Sequence, residues 1–356
     1  MTMEHIYFGV IGTGTMASTM MEAFEGLANV TVLAVHSNST QRAQEFSQFH
    51  KIPRYYSNLD EILNHEKIEA LYIANSTEKH SETSIKALNA GKSVLCEKPC
   101  AISSDEFKRI KQAADTSGKL FMEGFWTLLL PTYQKLLHYN FENHFGQAKH
   151  LTASFGYPVS ELTYPELFKS PAGGVLSDRG VYLIALSLRL LGDVKKATAS
   201  FGMNSEEVDT DISILLNHGS GGCSQLTASL TLLLSNDITL GCENGSIHIP
   251  SPALGAEFLT TQLIVKPVGG KVDFLSYGSR QKITRKLKSL GILRRLKNIG
   301  ARNSGEYLSF GKNQYIPQLE HFCDLLRSKR VESDQVSHEL SLKVVEIVEQ
   351  LKEVRR

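Results

Sequence analysis

A doubly wound parallel sheet followed by an α+β domain built on a large, mostly antiparallel open sheet is the fold predicted for this chain of 356 residues. Three observations predict it. The apolar run Ile6 to Ile11 leads directly into Gly12-Thr13-Gly14-Thr15-Met16-Ala17. Up to about Trp126, strand-like runs alternate with helical segments, a pattern most economically satisfied by a parallel sheet with helices on its faces. From Gln147 on, strand-like runs follow one another with turn signals between them, interrupted by one apolar helix.

The first apolar run suits a strand buried on both faces. The residues after it have glycine where the turn is tight, glycine where backbone would meet a pyrophosphate, and small Ala17 where a helix packs on the strand. This is a dinucleotide fingerprint, with phosphate expected on the helix N-terminus and Gly12, Thr13, Gly14, Thr15 and Met16 as the residues around it. Val30 to His36 reads as the second strand. Its end should meet the adenosine ribose, where NAD sites usually place a carboxylate. Here Ser37-Asn38-Ser39-Thr40-Gln41-Arg42 stands instead. With no carboxylate to repel a 2′-phosphate, and with Ser37, Asn38 and Arg42 able to bond one, NADP is the expected cofactor and NAD the alternative.

Alternation continues through a helix near Gln41 to Phe49, a short one at Leu59 to Leu63 and a strand at Ala70 to Ala74. Asn75-Ser76-Thr77-Glu78-Lys79-His80 then opens a helix from Ser81 to Ala90 that Gly91 closes. His80 falls in its first turn, where packing and capping histidines also occur. The next strand, Ser93-Val94-Leu95-Cys96, ends in Glu97-Lys98-Pro99-Cys100. Lysine at a strand end points from the carboxyl edge of the sheet, where open α/β folds bind ligands, and the proline keeps it out of a following helix. A helix from Ser103, with Glu106 three residues on to complete its cap, precedes a sixth strand at Leu120 to Phe125.

After Pro131 a helix runs to about Phe141, and Gln147 to Phe155 starts the second sheet. Ala172-Gly173-Gly174-Val175-Leu176-Ser177-Asp178-Arg179-Gly180-Val181-Tyr182 opens an apolar helix reaching Leu191, and Asp178 and Tyr182, four apart, are expected on one face of it. Strands follow at Lys196 to Phe201, Ile212 to Leu216, Ser224 to Thr231, Ile238 to Cys242 and Ile247 to Ile249, the last two joined by the Asn244-Gly245 turn signal. Helices near Gln314 to Arg327 and Glu339 to Arg356 finish the chain.

Charge is nearly balanced overall but uneven. Residues 277–303 carry nine Lys/Arg and no Asp/Glu, leaving 29 basic against 37 acidic residues elsewhere. Apolar positions near helical spacing in that stretch suit an inserted helix packed on its own domain, or contact with an anionic membrane or a nucleotide-linked sugar. No nucleic-acid motif is present. Five cysteines without a CxxC pair give neither a disulfide framework nor a zinc site, and no metal is expected. Met1-Thr2-Met3-Glu4-His5 lacks the basic start and apolar core of a signal peptide, and no apolar run reaches a membrane span of about 18 residues. The expected setting is the cytoplasm.

Gly12-Thr13-Gly14-Thr15-Met16-Ala17, His80 and Ala90-Gly91-Lys92-Ser93-Val94-Leu95-Cys96-Glu97-Lys98-Pro99 together resemble the glucose-fructose oxidoreductase/inositol dehydrogenase (Gfo/Idh/MocA) superfamily. Within it, Glu123-Gly124-Phe125-Trp126-Thr127 with Pro131 is similar to the dimeric dihydrodiol dehydrogenase and NADP-dependent xylose dehydrogenase branch. The resemblance covers most of the chain and fades after about residue 250. It departs at Asn75-Ser76-Thr77, where the family's usual motif is Thr-Pro-Asn, and at Leu128, where the branch has arginine.

The resemblance implies a dinucleotide-binding domain over residues 1–126 and a substrate-binding and oligomerisation domain over 127–356, with the last helices able to pack back on the first. It implies an NAD(P)-dependent oxidoreductase acting on a hydroxyl or carbonyl carbon of a sugar, polyol or related ring. Lys98, Asp178 and Tyr182 are the expected catalytic group, with Tyr182 the proton donor and acceptor and Lys98 lowering its pKa, or the two roles reversed. Asp178 would bind a neighbouring hydroxyl. Asn75, Ser76, His80 and Glu97 would lie at the cofactor, and Trp126 would line the nicotinamide pocket. An open sheet of this size leads us to expect a homodimer or homotetramer. The family also contains NAD-dependent glycoside hydrolases that work by transient oxidation, and dinucleotide-sensing regulatory proteins, as the alternative functions.

Overall fold

The computed structural model describes residues 4–169, 173–264 and 303–354. Its first sheet is built from β1 (Ile6–Ile11), β2 (Val30–His36), β3 (Arg54–Tyr56), β4 (Ala70–Ile73), β5 (Ser93–Cys96) and β6 (Phe121–Glu123). All pairings are parallel, in the order β3-β2-β1-β4-β5-β6. Helices α1 (Thr15–Glu25), α2 (Thr40–Phe49), α3 (Leu59–Leu63), α4 (His80–Asn89) and α5 (Ser104–Ser117) connect the strands. The central strands are apolar on both faces because both faces are covered: Phe8, Val10, Leu71, Ile73, Val94 and Leu95 are all fully buried. β3, which sequence periodicity does not reveal, is an edge strand of Arg54, Tyr55 and Tyr56 with no apolar run.

Local capping agrees with the residues. Ser103 Oγ accepts from Glu106 N at 3.2 Å, and Glu106 Oε2 accepts from Ile102 N at 3.0 Å, a reciprocal cap displaced by one residue from the usual box. The strand order reverses between β1 and β4, so the carboxyl ends of β1, β4 and β5 open onto one crevice.

The second sheet has the order β14-β13-β12-β11-β7-β10-β9-β8, antiparallel except where β7 (Ala148–Gly156) meets β10 (Cys223–Ser229). The other strands are β8 (Val194–Met203), β9 (Asp209–His218), β11 (Ile238–Cys242), β12 (Gly245–Ile249), β13 (Phe258–Leu263) and β14 (Asn303–Tyr307). In β9 alternation is plain: Ile212, Ile214 and Leu216 point into the core, while Leu215 is 39% exposed. Helices α6 (Pro131–Phe141) and α7 (Val181–Leu191) are packed into that core, whereas the opposite face presents Thr152, Thr198, Ser200, Ser213, Gln225 and Thr227. The β11–β12 turn uses Glu243 and Asn244, since Cys242 already pairs with Gly245. Glycine at 245 answers a different need: a Cβ there would lie 2.3 Å from Gln262 O on β13.

Helices α8 (Ile316–Arg327) and α9 (His338–Val354) return to the first sheet. The Phe322 ring lies 5.8 Å from Phe8, Phe121 N donates to Val331 O at 3.3 Å, and His338 Nε2 lies 3.1 Å from Phe121 O. One apolar core therefore runs from Phe8 through Trp126 to Leu240. Among the described residues no helix is long and apolar enough to cross a membrane. The basic stretch 277–303 lies outside the described residues except for Asn303.

Candidate active site

The glycine-rich turn after β1 forms a cradle. Gly12 has φ +117°, and a Cβ on it would lie 2.2 Å from Ala74 O, so both conformation and space demand glycine. A Cβ on Gly14 would meet nothing within 4 Å, because that position faces open space. Gly14 is also the N-cap of α1, which has no side-chain cap and no acidic residue in its first turn. Its first backbone N–H groups and the positive end of its dipole therefore face the opening, as an anion requires. Thr15 at the helix start is exposed, while Met16 packs against the core. Thr13 Oγ1 donates to Ser37 Oγ at 3.4 Å, tying this turn to the end of β2. There Asn38 and Arg42 are exposed, while Ser39 caps α2. These residues fit a dinucleotide, pyrophosphate on α1 and ribose at the end of β2.

The end of β5 is over-determined from below. Glu97 is 5% exposed; its Oε1 accepts from Tyr72 OH at 2.7 Å and its Oε2 accepts from Lys98 N at 3.3 Å. Burial pushes the Glu97 carboxyl upward, with Tyr72 and the Lys98 charge working against that. The following Lys98-Pro99 peptide bond is cis. His80 is buried, with Nδ1 2.9 Å from Pro99 O and Nε2 3.1 Å from Asn75 O. Burial lowers its pKa and favours the neutral ring, whose single N–H can donate to only one of these two loop carbonyls. His80 thus sits between the loops that follow β4 and β5, its ring facing one carbonyl of each. Asn75 donates to Thr83 Oγ1 at 3.0 Å and has a buried Oδ1 without a partner among the described residues, whereas Ser76 is exposed beside it.

Asp178 reaches the same place from the second half of the chain. Lys98 Nζ donates to Asp178 Oδ1 at 2.6 Å and to Asp178 O at 2.7 Å, across 80 residues. Burial opposes ionisation of Asp178, but the charges and hydrogen bonds of Lys98 and then Arg179 outweigh it and hold the carboxyl below its ordinary range. The segment is not the regular α-helix that four-residue spacing suggested: Leu176–Gly180 form a π-helical turn before α7 begins. Gly174, at φ +100°, leaves room for Asp209, whose Oδ2 accepts from Leu176 N at 2.8 Å and fixes the start of that turn.

Tyr182 stands one turn further on and is 8% exposed. Trp126 Nε1 donates to its hydroxyl at 3.0 Å. Lys98 Nζ lies 5.0 Å from the centroid of the Tyr182 ring, over its face. The expectation that Lys98 lowers the phenol pKa is overturned: burial, reinforced by Glu97, Tyr315 and Asp178, pushes it well above the ordinary tyrosine value, and the Trp126 hydrogen bond only partly opposes this. The lysine charge is directed at Asp178 instead. Trp126, 6% exposed, has its indole N–H committed to Tyr182 and its ring 4.9 Å from Tyr315. Leu128 is buried in the core.

Three residues that periodicity and motif matching do not single out belong to this cluster. Tyr72 holds Glu97, Tyr315 packs on Trp126 from the start of α8, and Arg179 touches Asp178. Arginine just ahead of the apolar helix that begins at Val181 is the one legible sign among them, because a charge there needs buried partners.

Comparison with known proteins gives a consistent picture. The family model described as an oxidoreductase family with an NAD-binding Rossmann fold matches residues 6–125, and the GFO/IDH/MocA C-terminal domain model matches residues 133–248. The chain is 28% identical to trans-1,2-dihydrobenzene-1,2-diol dehydrogenase of Sus scrofa over 263 residues, covering 73% of this chain and 77% of that protein. The Homo sapiens enzyme of the same name is 27% identical over the same coverage. Among solved structures, a 3-ketoreductase from Actinomadura kijaniata in complex with NADP and TDP-benzene superposes with TM-score 0.78 at 20% identity, covering 98% of both chains. An oxidoreductase from Agrobacterium radiobacter in complex with NAD+, L-tartaric acid and magnesium gives 0.78 at 17% identity, covering 99% of this chain and 96% of that one. Both structures share the fold.

Proposed function

The chain belongs to the GFO/IDH/MocA oxidoreductase family and is an NAD(P)-dependent enzyme acting on hydroxyl-bearing carbons, and from that premise we propose that it interconverts a ring alcohol and its ketone on a diol, sugar or polyol. Tyr182 handles the proton, and Lys98 with Asp178 holds the substrate oxygens. The observation that carries this reading is the meeting of Lys98 and Asp178 at 2.6 Å beside a buried Tyr182, at the carboxyl end of β5.

Bound at the switch-point crevice, the nicotinamide supplies or takes up the hydrogen and electron pair at carbon. Tyr182 supplies the proton. Burial keeps its phenol protonated, so in the reducing direction its hydroxyl hydrogen passes to the carbonyl oxygen. Trp126 stays bonded to the phenol oxygen and stabilises the charge left there. Lys98 has three N–H donors; two are used on Asp178, and the third is available to the same substrate oxygen. Asp178 receives a neighbouring hydroxyl through the oxygen that does not bind Lys98. Glu97 and Tyr72 hold the lysine backbone, and His80 holds the loops.

Exposed Arg42 and Asn38, with Ser37 beside the turn, support NADP over NAD. The face of the second sheet that no described residue covers, with Leu215 partly exposed on it, supports a homo-oligomer, a dimer or tetramer. Five free cysteines suit a reducing cytoplasm.

The test is reduction of NADP+ and NAD+ by trans-dihydrodiols, sugars and polyols, with NADPH oxidation by keto-sugars, including nucleotide-linked ones, measured in parallel. A substrate in one of these classes is expected, and Lys98→Ala should reduce its turnover by about 100-fold or more while dinucleotide affinity changes little. Unchanged turnover in Lys98→Ala would overturn the assignment.

A further inference from the structure

Beside Asp178 lies a second cation. Arg179 is 4% exposed, on the π-helical turn itself. Its Nε lies 3.6 Å from Asp178 Oδ2, the oxygen opposite the one that Lys98 holds. Its Nη1 donates to Tyr157 O at 2.7 Å, beyond the end of β7, and to Ser229 O at the end of β10. The Phe155 ring lies under the guanidinium at 5.0 Å. The fork therefore joins the turn that carries Asp178 to the ends of two strands of the second sheet.

We propose that Arg179 is a positioning residue of this active site: it turns Asp178 so that Oδ1 meets Lys98, and it shares the carboxylate charge so that Lys98 keeps a donor for the substrate oxygen. The inference rests on the reading of Lys98 and Asp178 given above. A carboxylate paired with one buried cation binds it tightly and draws its donors inward; a second cation at the other oxygen divides that attraction. Each observed contact has a function under this proposal. The Tyr157 and Ser229 carbonyls fix the guanidinium, the guanidinium fixes Oδ2, and Oδ1 is then presented to Lys98.

The groups facing Asp178 are Lys98 and Glu97 from the end of β5, Arg179 beside it and Tyr182 on α7, while Lys352 of α9 bonds neighbouring Ser177 Oγ at 3.0 Å. Behind Arg179, Asp211 Oδ1 accepts from Ser229 Oγ. Removing the arginine charge leaves Lys98 as the main influence that keeps Asp178 ionised against its burial. The acid limb of kcat/KM then moves to higher pH.

The experiment compares Arg179→Gln, which keeps an amide donor for the carbonyls, with Arg179→Lys, which keeps the charge. Arg179→Gln is expected to lower kcat/KM about tenfold and to shift its acid limb upward, with dinucleotide affinity unchanged. Arg179→Lys is expected to retain the wild-type limb. A purely structural strut predicts the opposite pattern: lower melting temperature in both variants and a wild-type pH profile in the folded fraction. That pattern overturns the proposal, as does a shifted limb in Arg179→Lys; if the glutamine variant does not fold, Arg179→Met takes its place as the uncharged variant, with the same upward shift of the limb expected and a wild-type limb overturning the proposal. Asp178→Asn separates the two levels. Full activity in Asp178→Asn removes the reading of the site, whereas an inactive Asp178→Asn with a wild-type profile in Arg179→Gln removes only the role of the arginine.

Discussion

Trp126 donates its indole N–H to the Tyr182 hydroxyl at 3.0 Å, which leaves the hydrogen of the phenol as the one this pair can give away. Indole is a donor without acceptor capacity, so the direction of the bond is unambiguous. Trp126→Phe should keep the packing against Tyr315 and remove that bond. With about 1–1.5 kcal/mol per such bond, kcat for ketone reduction should fall roughly tenfold. Steady-state kinetics of the variant check this, and a wild-type kcat would count against the charge-stabilising role.

The raised pKa of Tyr182 gives the two directions opposite pH behaviour. Reduction needs the phenol protonated and should not decline until the titration of that group is reached. Oxidation needs it to accept a proton, so its rate should still be climbing at about pH 10, where free tyrosine titrates. Rate profiles in both directions test this; an oxidation rate that reaches its plateau near neutrality would show a different proton acceptor.

Gly14 and Gly12 separate binding from folding. A Cβ on Gly14 meets no protein atom, so Gly14→Ala should melt within a few degrees of wild type while its dinucleotide Kd rises at least about tenfold. Gly12→Ala places a methyl 2.2 Å from Ala74 O at φ +117° and should destabilise the fold as well. Thermal melts paired with fluorescence titration distinguish the two. Unaltered binding by Gly14→Ala would place the pyrophosphate elsewhere.

Arg42 has its side chain exposed at the start of α2. Arg42→Ala should raise KM for NADP by about tenfold, the value of a charge-assisted bond, and leave KM for NAD nearly unchanged. Equal effects on both cofactors would remove Arg42 from the 2′-phosphate.

The parallel sheet was legible because Ile6–Ile11, Ala70–Ile73 and Ser93–Cys96 are apolar on both faces and each leads into a loop and then a helix. β3 escaped notice because an edge strand need not be apolar. Lys98 and Asp178 were legible for a related reason: Lys98 ends a buried strand and Asp178 follows a glycine pair that its turn requires. What surrounds them was not. Trp126 and Tyr182 are 56 residues apart, and no spacing rule reports that their polar atoms meet. Four-residue spacing also assumed 3.6 residues per turn between Asp178 and Tyr182, and the π-helical turn removes that assumption. The direction of the phenol pKa followed from burial, which depends on the whole packed site, and proximity to a lysine in a motif did not predict it.

The central claim is that Tyr182 delivers the proton at the site that Lys98 and Asp178 define. The kcat of Tyr182→Phe for ketone reduction, measured with saturating dinucleotide and alongside its dinucleotide Kd, tests it most directly. A fall of about 100-fold or more with Kd within a few-fold of wild type is predicted; a kcat near that of the wild type would contradict it.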